Sequence, residues 1–259
     1  MINVSQVTFR YEKHLPLFQD FSWKVDRGQT WVIIGPSGCG KSTMLYLLAG
    51  LQHPEQGQVL IDGNPILTPR PQTGLILQDY GLLPWATVTQ NVALGMDLRR
   101  FYGPDGKHAP VEMQPTIERD SLIKQWLERL KIADIATKYP WQISGGQRQR
   151  TAIARTLILK PDLLLMDEPF ASLDTPTRED LEQLVRTLAV ERTLTTVLVT
   201  HTIEEALFVG EKILILKCQV NTTPVILDNP FTGQFSPDHD PQYQQLTSRI
   251  REELKGSAA

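Results

Sequence analysis

The chain is short of several things that would each have named a class of protein. It has only two cysteines in 259 residues, Cys39 and Cys218, so neither a disulfide framework nor a cysteine-based metal site has material to work with. No apolar run approaches the roughly 18 residues that span a bilayer, and the first residues lack the pattern of a signal peptide. A net charge of −3 provides no basic field for nucleic acid, so no nucleic-acid partner is expected. These shortages suit a reducing cytosol. The length allows a large core in one sizeable domain, or a domain carrying a subdomain.

What the sequence does have is a glycine-rich turn between two apolar stretches. Trp31-Val32-Ile33-Ile34 reads as a buried strand, and Ser42-Thr43-Met44-Leu45 opens the helix after it. Between them lies Gly35-Pro36-Ser37-Gly38-Cys39-Gly40-Lys41-Ser42-Thr43, which fits the phosphate-loop pattern G-x-x-x-x-G-K-[ST]. Gly35, Gly38 and Gly40 permit turns that aim backbone N–H groups at a polyanion, and the helix start adds about +0.5 of charge. Lys41 is expected on the β- and γ-phosphates and the Ser42 hydroxyl on Mg2+. Cys39 sits where a helix terminus could lower a thiol pKa, although a tolerated small residue is the more ordinary reading.

Two further constellations narrow the chemistry. Leu163-Leu164-Leu165-Met166-Asp167-Glu168 is an apolar strand ending in two carboxylates. Strand neighbours face opposite ways, so Asp167 is assigned to Mg2+ and Glu168 to the attacking water. Ser144-Gly145-Gly146-Gln147 opens another helix with a serine cap and two glycines, a second anion-seeking helix start.

Elsewhere the periodicity gives the architecture. Ile2, Val4, Val7 and Phe9, then Phe18, Phe21, Trp23 and Val25, suggest antiparallel strands with one wet face. Val59 to Asn64 ends a strand in a turn signal. Solid apolar runs at 163–166, 197–199 and 213–216 predict parallel strands covered by helices. Helices are expected near Ser121–Leu130, Gly146–Leu159 and Pro176–Arg192, the last with Thr175 as N-cap and Pro176 in its first position. The expected fold is α/β, a P-loop NTPase core with a mostly parallel sheet, an N-terminal antiparallel β subdomain and an inserted helical subdomain at about 82–159. Residues 103–118 read as an exposed or partly disordered loop. The tail 229–259 is expected to be polar except for a docked helix over Tyr243–Leu254, with Leu246, Ile250 and Leu254 in one stripe.

In these motifs the chain resembles the ATP-binding-cassette (ABC) family over most of residues 1–228. The phosphate loop matches its Walker A, Gln78 its Q-loop, Ile143–Gln147 its signature and Leu163–Glu168 its Walker B. Ser172-Leu173-Asp174 matches the D-loop and His201 the switch histidine. Tyr11 stands where the family stacks an aromatic on adenine, or it is surface packing. Ile143 replaces the usual signature leucine, Ser172 a frequent alanine, and Thr202 a frequent aspartate after the histidine.

The resemblance implies an active ATP hydrolase that pairs head to tail with a second copy, each Ser144 helix start completing the other's ATP site. Lys41, His201 and Mg2+ would stabilise the γ-phosphoryl group, Glu168 would serve the water, and Gln78 would touch Mg2+ or water. Leu82-Leu83-Pro84-Trp85 after the Q-loop resembles the nitrate/sulfonate/taurine branch of bacterial importers. That implies two membrane permease subunits docking near Leu82–Trp85, an extracytoplasmic solute-binding protein, and a place on the cytoplasmic face of the membrane. Trp85 and its neighbours read equally as subdomain core. The other functional readings are a soluble non-transport ABC ATPase and a nucleotide-gated scaffold.

Overall fold

The computed structural model describes residues 1–12, 15–102, 116–234 and 240–255. Backbone contacts group the chain into two compact units. The first comprises Met1–Arg70, Leu163–Glu168 and Glu182–Ala259, and the second Pro71–Asp162 and Pro169–Leu181.

The first unit opens with β1 (Ile2–Phe9) and β2 (Phe18–Val25), paired antiparallel. The apolar positions step by three between Val4 and Val7 because the register shifts there, with Gln6 at φ 50°. The Gln6 N–H goes instead to Ser22 Oγ at 2.9 Å, so the irregularity keeps both apolar faces inward without stranding a donor. After β3 (Thr30–Ile34) and α1 (Lys41–Ala49), β4 (Gln56–Ile61) pairs with β1, and β5 (Asn64–Pro65) folds back on β4. The connecting Asp62 and Gly63 both have positive φ, 50° and 76°, the two-residue turn whose twist suits a hairpin.

The second unit begins with β6 (Thr73–Ile76) and continues with α2 (Val88–Tyr102), α3 (Thr116–Arg129) and α4 (Gly145–Leu157). The expected loop 103–118 is corrected at its end: Thr116 to Glu118 already belong to α3, and residues 103–115 lie outside the described residues.

The remaining elements are β7 (Leu163–Asp167), α5 (Thr175–Arg192), β8 (Thr195–Thr200), α6 (Ile203–Val209), β9 (Lys212–Ile215), β10 (Val225–Asp228) and α7 (Pro241–Lys255). In the first unit β9, β3, β8 and β7 lie side by side and parallel, with β10 antiparallel on β9. Every residue of β3, β7 and β8 is buried, which is why these segments are apolar throughout rather than alternating. Each fully buried Leu, Ile or Val there contributes about 1.5–3 kcal/mol, so a charged substitution at Val32 or Leu165 would break the sheet.

Two local expectations change. Asp174, not Thr175, caps α5: its Oδ2 accepts the Thr177 N–H at 3.3 Å and the Thr177 hydroxyl at 3.1 Å. In α7, Ile250 is buried but Leu246 and Leu254 are half-buried, while Tyr243 and Thr247 complete the inward face. Tyr243 packs edge-on against Phe231 at 5.4 Å, and Lys217 pairs with Glu253 at 2.8 Å, so the helix is tied to its own unit at both ends.

Candidate nucleotide site

The chemistry starts where β3 stops. Gly35 follows Ile34, and a Cβ there would lie 2.5 Å from Cys39 Sγ and 2.6 Å from Leu216 O, so the turn closes only on glycine. Gly40, at φ 101°, lies against the Phe18 ring, and a Cβ would meet it at 3.0 Å. Gly40 is also the N-cap of α1, and no side chain caps that helix. The buried Lys41 turns back into the loop, with Nζ donating to Gly35 O at 2.8 Å and Pro36 O at 3.0 Å. An ammonium carries three protons, so this geometry holds the cation while a third donor is left for a ligand. Asn221 clamps the loop from outside, its Nδ2 donating to Cys39 O at 3.3 Å and Leu17 O at 3.2 Å. The Cys39 thiol is 1 % exposed, and burial pushes its pKa up despite Lys41, the reverse of the lowering that a helix terminus alone suggested.

Asp167 ends β7, buried, and accepts the Ser42 hydroxyl at 3.0 Å. Burial raises its carboxyl above the ordinary range; the Ser42 hydrogen bond pulls it back, Glu168 adds to the rise and Lys41 opposes it. Glu168 has left the strand. Its backbone is left-handed at φ 44°, and its N–H is held by Val199 O at 3.0 Å. The different surroundings of the two carboxylates therefore come from a turn, not from strand alternation. Such a conformation costs a non-glycine residue about 1–3 kcal/mol, which the surrounding structure must offset. It brings Glu168 Oε2 to 3.1 Å from His201 Nδ1 at the end of β8.

The segment carrying His201 is held by residues that no motif announced. The buried Thr200 hydroxyl hydrogen-bonds the buried Glu205 carboxylate and accepts the Thr202 N–H at 3.1 Å. Glu205 thus braces the histidine turn from the first turn of α6, and Thr202 contributes no side-chain cap of its own.

A cleft of about 580 Å³ opens over these groups, lined by Tyr11, Leu15, Leu17, Ser37, Gly38, Gly40, Lys41, Ser42, Thr43 and Glu168. Tyr11 is 42 % exposed, packs edge-on against Phe9 at 5.1 Å, and its hydroxyl lies 3.2 Å from Thr43 Oγ1. Its ring is thereby fixed at the rim with substantial surface available for stacking.

The second unit carries the other motifs. Gln78 is exposed in the segment after β6. Ser144 caps α4 in a closed capping box: Gln147 N–H donates to Ser144 Oγ at 3.3 Å, and Ser144 N–H to Gln147 Oε1 at 3.0 Å. A Cβ on Gly146 would lie 2.4 Å from Thr177 Cγ2, so this glycine lets the start of α5 come close. Asp174 is exposed, and its two contacts from Thr177 hold its carboxyl below the ordinary range. Ser172 Oγ lies 2.6 Å from the Tyr80 hydroxyl. The buried Asn91 wraps the Leu83–Thr87 turn, accepting from Leu83 N–H at 2.8 Å and donating to the carbonyls of Leu83, Ala86 and Thr87. Trp85, on that turn, is 74 % exposed, so the core reading of this residue is wrong.

Comparison with known proteins agrees with this geometry. The sequence profile of the family described as ABC transporter matches residues 18–171. The aliphatic sulfonates import ATP-binding protein SsuB of Bacillus cereus is 30 % identical over 257 residues, 98 % of this chain and 96 % of that protein. The taurine import ATP-binding protein TauB of Yersinia pestis bv. Antiqua (strain Antiqua) is 39 % identical over 216 residues, 83 % of this chain and 79 % of that protein. Among solved structures, the ATP-binding cassette MJ0796, a dimer in a post-hydrolysis state bound to ADP and Pi, superposes with a TM-score of 0.71 at 31 % identity. The match covers 84 % of this chain and 94 % of that one. The chain belongs to the ABC transporter family.

Proposed function

We propose that this chain is the ATP-binding and ATP-hydrolysing subunit of an importer for a small anionic or polar solute of the sulfonate, taurine or nitrate type. One observation carries the catalytic part. The Ser42–Asp167 pair stands at the start of an uncapped helix whose lysine is already folded into the phosphate loop, and Glu168, paired with His201, lines the same cleft. Relatives that match nearly the whole chain are import ATP-binding proteins, which supports the transport part.

In this reading the phosphate loop, residues Gly35–Thr43, wraps the β- and γ-phosphates with backbone N–H groups and Lys41, and Tyr11 stacks on the base. A hydroxyl and a carboxylate, both hard oxygen donors, fit Mg2+; Ser42 and Asp167 would hold it, with Gln78 also reaching the metal or its water. Bound there, the ion would neutralise charge on the transferring phosphoryl group. Glu168 orients the water and takes its proton, and His201 fixes that carboxylate while facing the γ-phosphate.

The second copy supplies its Ser144–Gln147 helix start to the γ-phosphate, and its Ser172–Asp174 segment lies at the shared interface. Hydrolysis removes the charge that holds the two helix starts together, and the pair opens. The exposed Trp85, on a turn that Asn91 holds rigid, is the anchor for the permease. Two permease subunits and an extracytoplasmic solute-binding protein complete the importer. The chain itself sits peripherally on the cytoplasmic face, and none of its described helices is long and apolar enough to cross a membrane.

A phosphate-release assay on the purified chain and its Glu168→Gln variant, with and without membranes carrying the permease, tests this. Wild-type turnover that needs Mg2+, is lost in the variant and changes when permease is added is expected. Equal turnover in both proteins removes Glu168 from the mechanism. Turnover indifferent to the permease favours a non-transport ATPase instead.

A further inference from the structure

Tyr80 is buried at 8 % exposure, two residues after Gln78, and no part of the proposed mechanism uses it. Its surroundings are nonetheless highly ordered. Tyr80 and Gly81 are both left-handed, at φ 65° and 58°, and Arg155 on α4 holds both carbonyls, donating to Tyr80 O at 2.8 Å and Gly81 O at 2.6 Å. Burial lowers the Arg155 pKa, while the nearby Asp79 charge opposes the shift. The Tyr80 ring lies under the Arg148 guanidinium at 5.7 Å, and Arg148 donates to Ile143 O at 3.0 Å, next to the signature serine. The Tyr80 hydroxyl reaches Ser172 Oγ at 2.6 Å, and a Cβ on Gly145 would stand 3.5 Å from that same hydroxyl.

One side chain therefore touches three motifs that are far apart in sequence: its own Gln78 segment, the signature turn, and the segment Ser172–Asp174. We propose that Tyr80 is a positioning residue for hydrolysis, its hydroxyl fixing Ser172 against the signature turn so that both meet the second copy in a single arrangement. The proposal rests on the reading of the chain as a paired ATPase.

The geometry has the form of a strut. Arg155 prevents the Tyr80–Gly81 backbone from sliding, Arg148 covers the ring, and the short contact to Ser172 transmits the position of the loop to residues 172–174. It also depends on the Ser172 hydroxyl, since an alanine at 172 would offer nothing for the Tyr80 hydroxyl to meet. The neighbouring turn, locked by Asn91, continues the same rigid segment out to Trp85. The hydroxyl contact orders a segment of the interface and contributes nothing to the cradle that binds nucleotide, so it should act on kcat and not on KM.

The test is a double-mutant cycle on the full chain, using Tyr80→Phe, Ser172→Ala and the combination, with steady-state Mg-ATP turnover and thermal melts. Tyr80→Phe keeps the ring and its packing, so the fold is preserved. Each single change is expected to lower kcat about three- to tenfold, the worth of one hydrogen bond, with KM for ATP within about twofold. The double variant is expected to be no slower than the slower single one. Losses in kcat that multiply, an unchanged kcat in Tyr80→Phe, or a matched rise in KM with a fallen melting temperature each overturn the strut and leave the ATPase reading standing. A wild-type chain without Mg-ATP turnover overturns that reading and the strut with it.

Discussion

The starts of α1 and α4 are built from similar residues, a run of glycine with serine nearby, yet they are finished in opposite ways. At α4 the cap is complete within the chain. Ser144 and Gln147 exchange hydrogen bonds in both directions, and such a cap contributes about 1 kcal/mol. At α1 the cap position is Gly40 in a left-handed conformation, with no side chain to serve the first turn and no acidic residue within it. The difference separates a helix start that is stable as it stands from one that needs an anion to be fully satisfied. In the mechanism proposed above it would order events: nucleotide meets the open start first, and the closed start engages when a phosphate competes for its donors.

Four substitutions break or sharpen that contrast. Glu168→Gln should have the largest effect, cutting turnover about 10²- to 10⁴-fold while ATP still binds, because it removes the proposed base and leaves the open helix start intact; phosphate release and a nucleotide titration measure the two sides. Lys41→Ala should weaken ATP binding about 10- to 100-fold, since a charge-assisted contact is lost. Unchanged affinity in calorimetry would show that the lysine merely braces Gly35 and Pro36. Ser144→Ala opens the closed start, and a fall in melting temperature of about 2–4 °C is expected with unaltered nucleotide affinity of the single chain.

Asp167→Asn has the smallest effect and a defined sign. Burial holds this carboxyl above the ordinary range, so its contribution to stability is fully present at acid pH and is lost as pH rises through the raised folded value. Metal-free melts should find the asparagine variant more stable by about 2 °C near neutrality, with the gap closing as pH falls. A gap that widened in acid would reverse the assignment.

Much of this was legible in the sequence because the decisive signals are local. Gly35 to Thr43 and Leu163 to Glu168 are contiguous, and total burial of β3 and β7 leaves its mark as unbroken apolar runs. Where the reading failed, particular side-chain contacts decided. Thr175 looked like a cap, but the Asp174 carboxylate reaches Thr177 and wins the position. Cys39, by contrast, fits the plainer expectation of a tolerated small residue: the turn buries its thiol, and burial raises the pKa that a helix terminus alone could lower. Asn221, Glu205 and Tyr80 could not be picked out, since each meets partners through side-chain contacts that no spacing rule encodes. Trp85 illustrates the remaining ambiguity: an apolar aromatic in a turn reads the same whether buried or displayed, and only the Asn91 wrap decides.

The close approach at Gly146 carries an evolutionary corollary. With Thr177 Cγ2 only 2.4 Å from the place a β-carbon would take, alanine at 146 requires the Thr177 methyl to turn away or to be lost, as in serine, alanine or glycine. Positions 146 and 177 should therefore drift as a couple, and a suppressor screen started from an alanine at the first should return changes at the second.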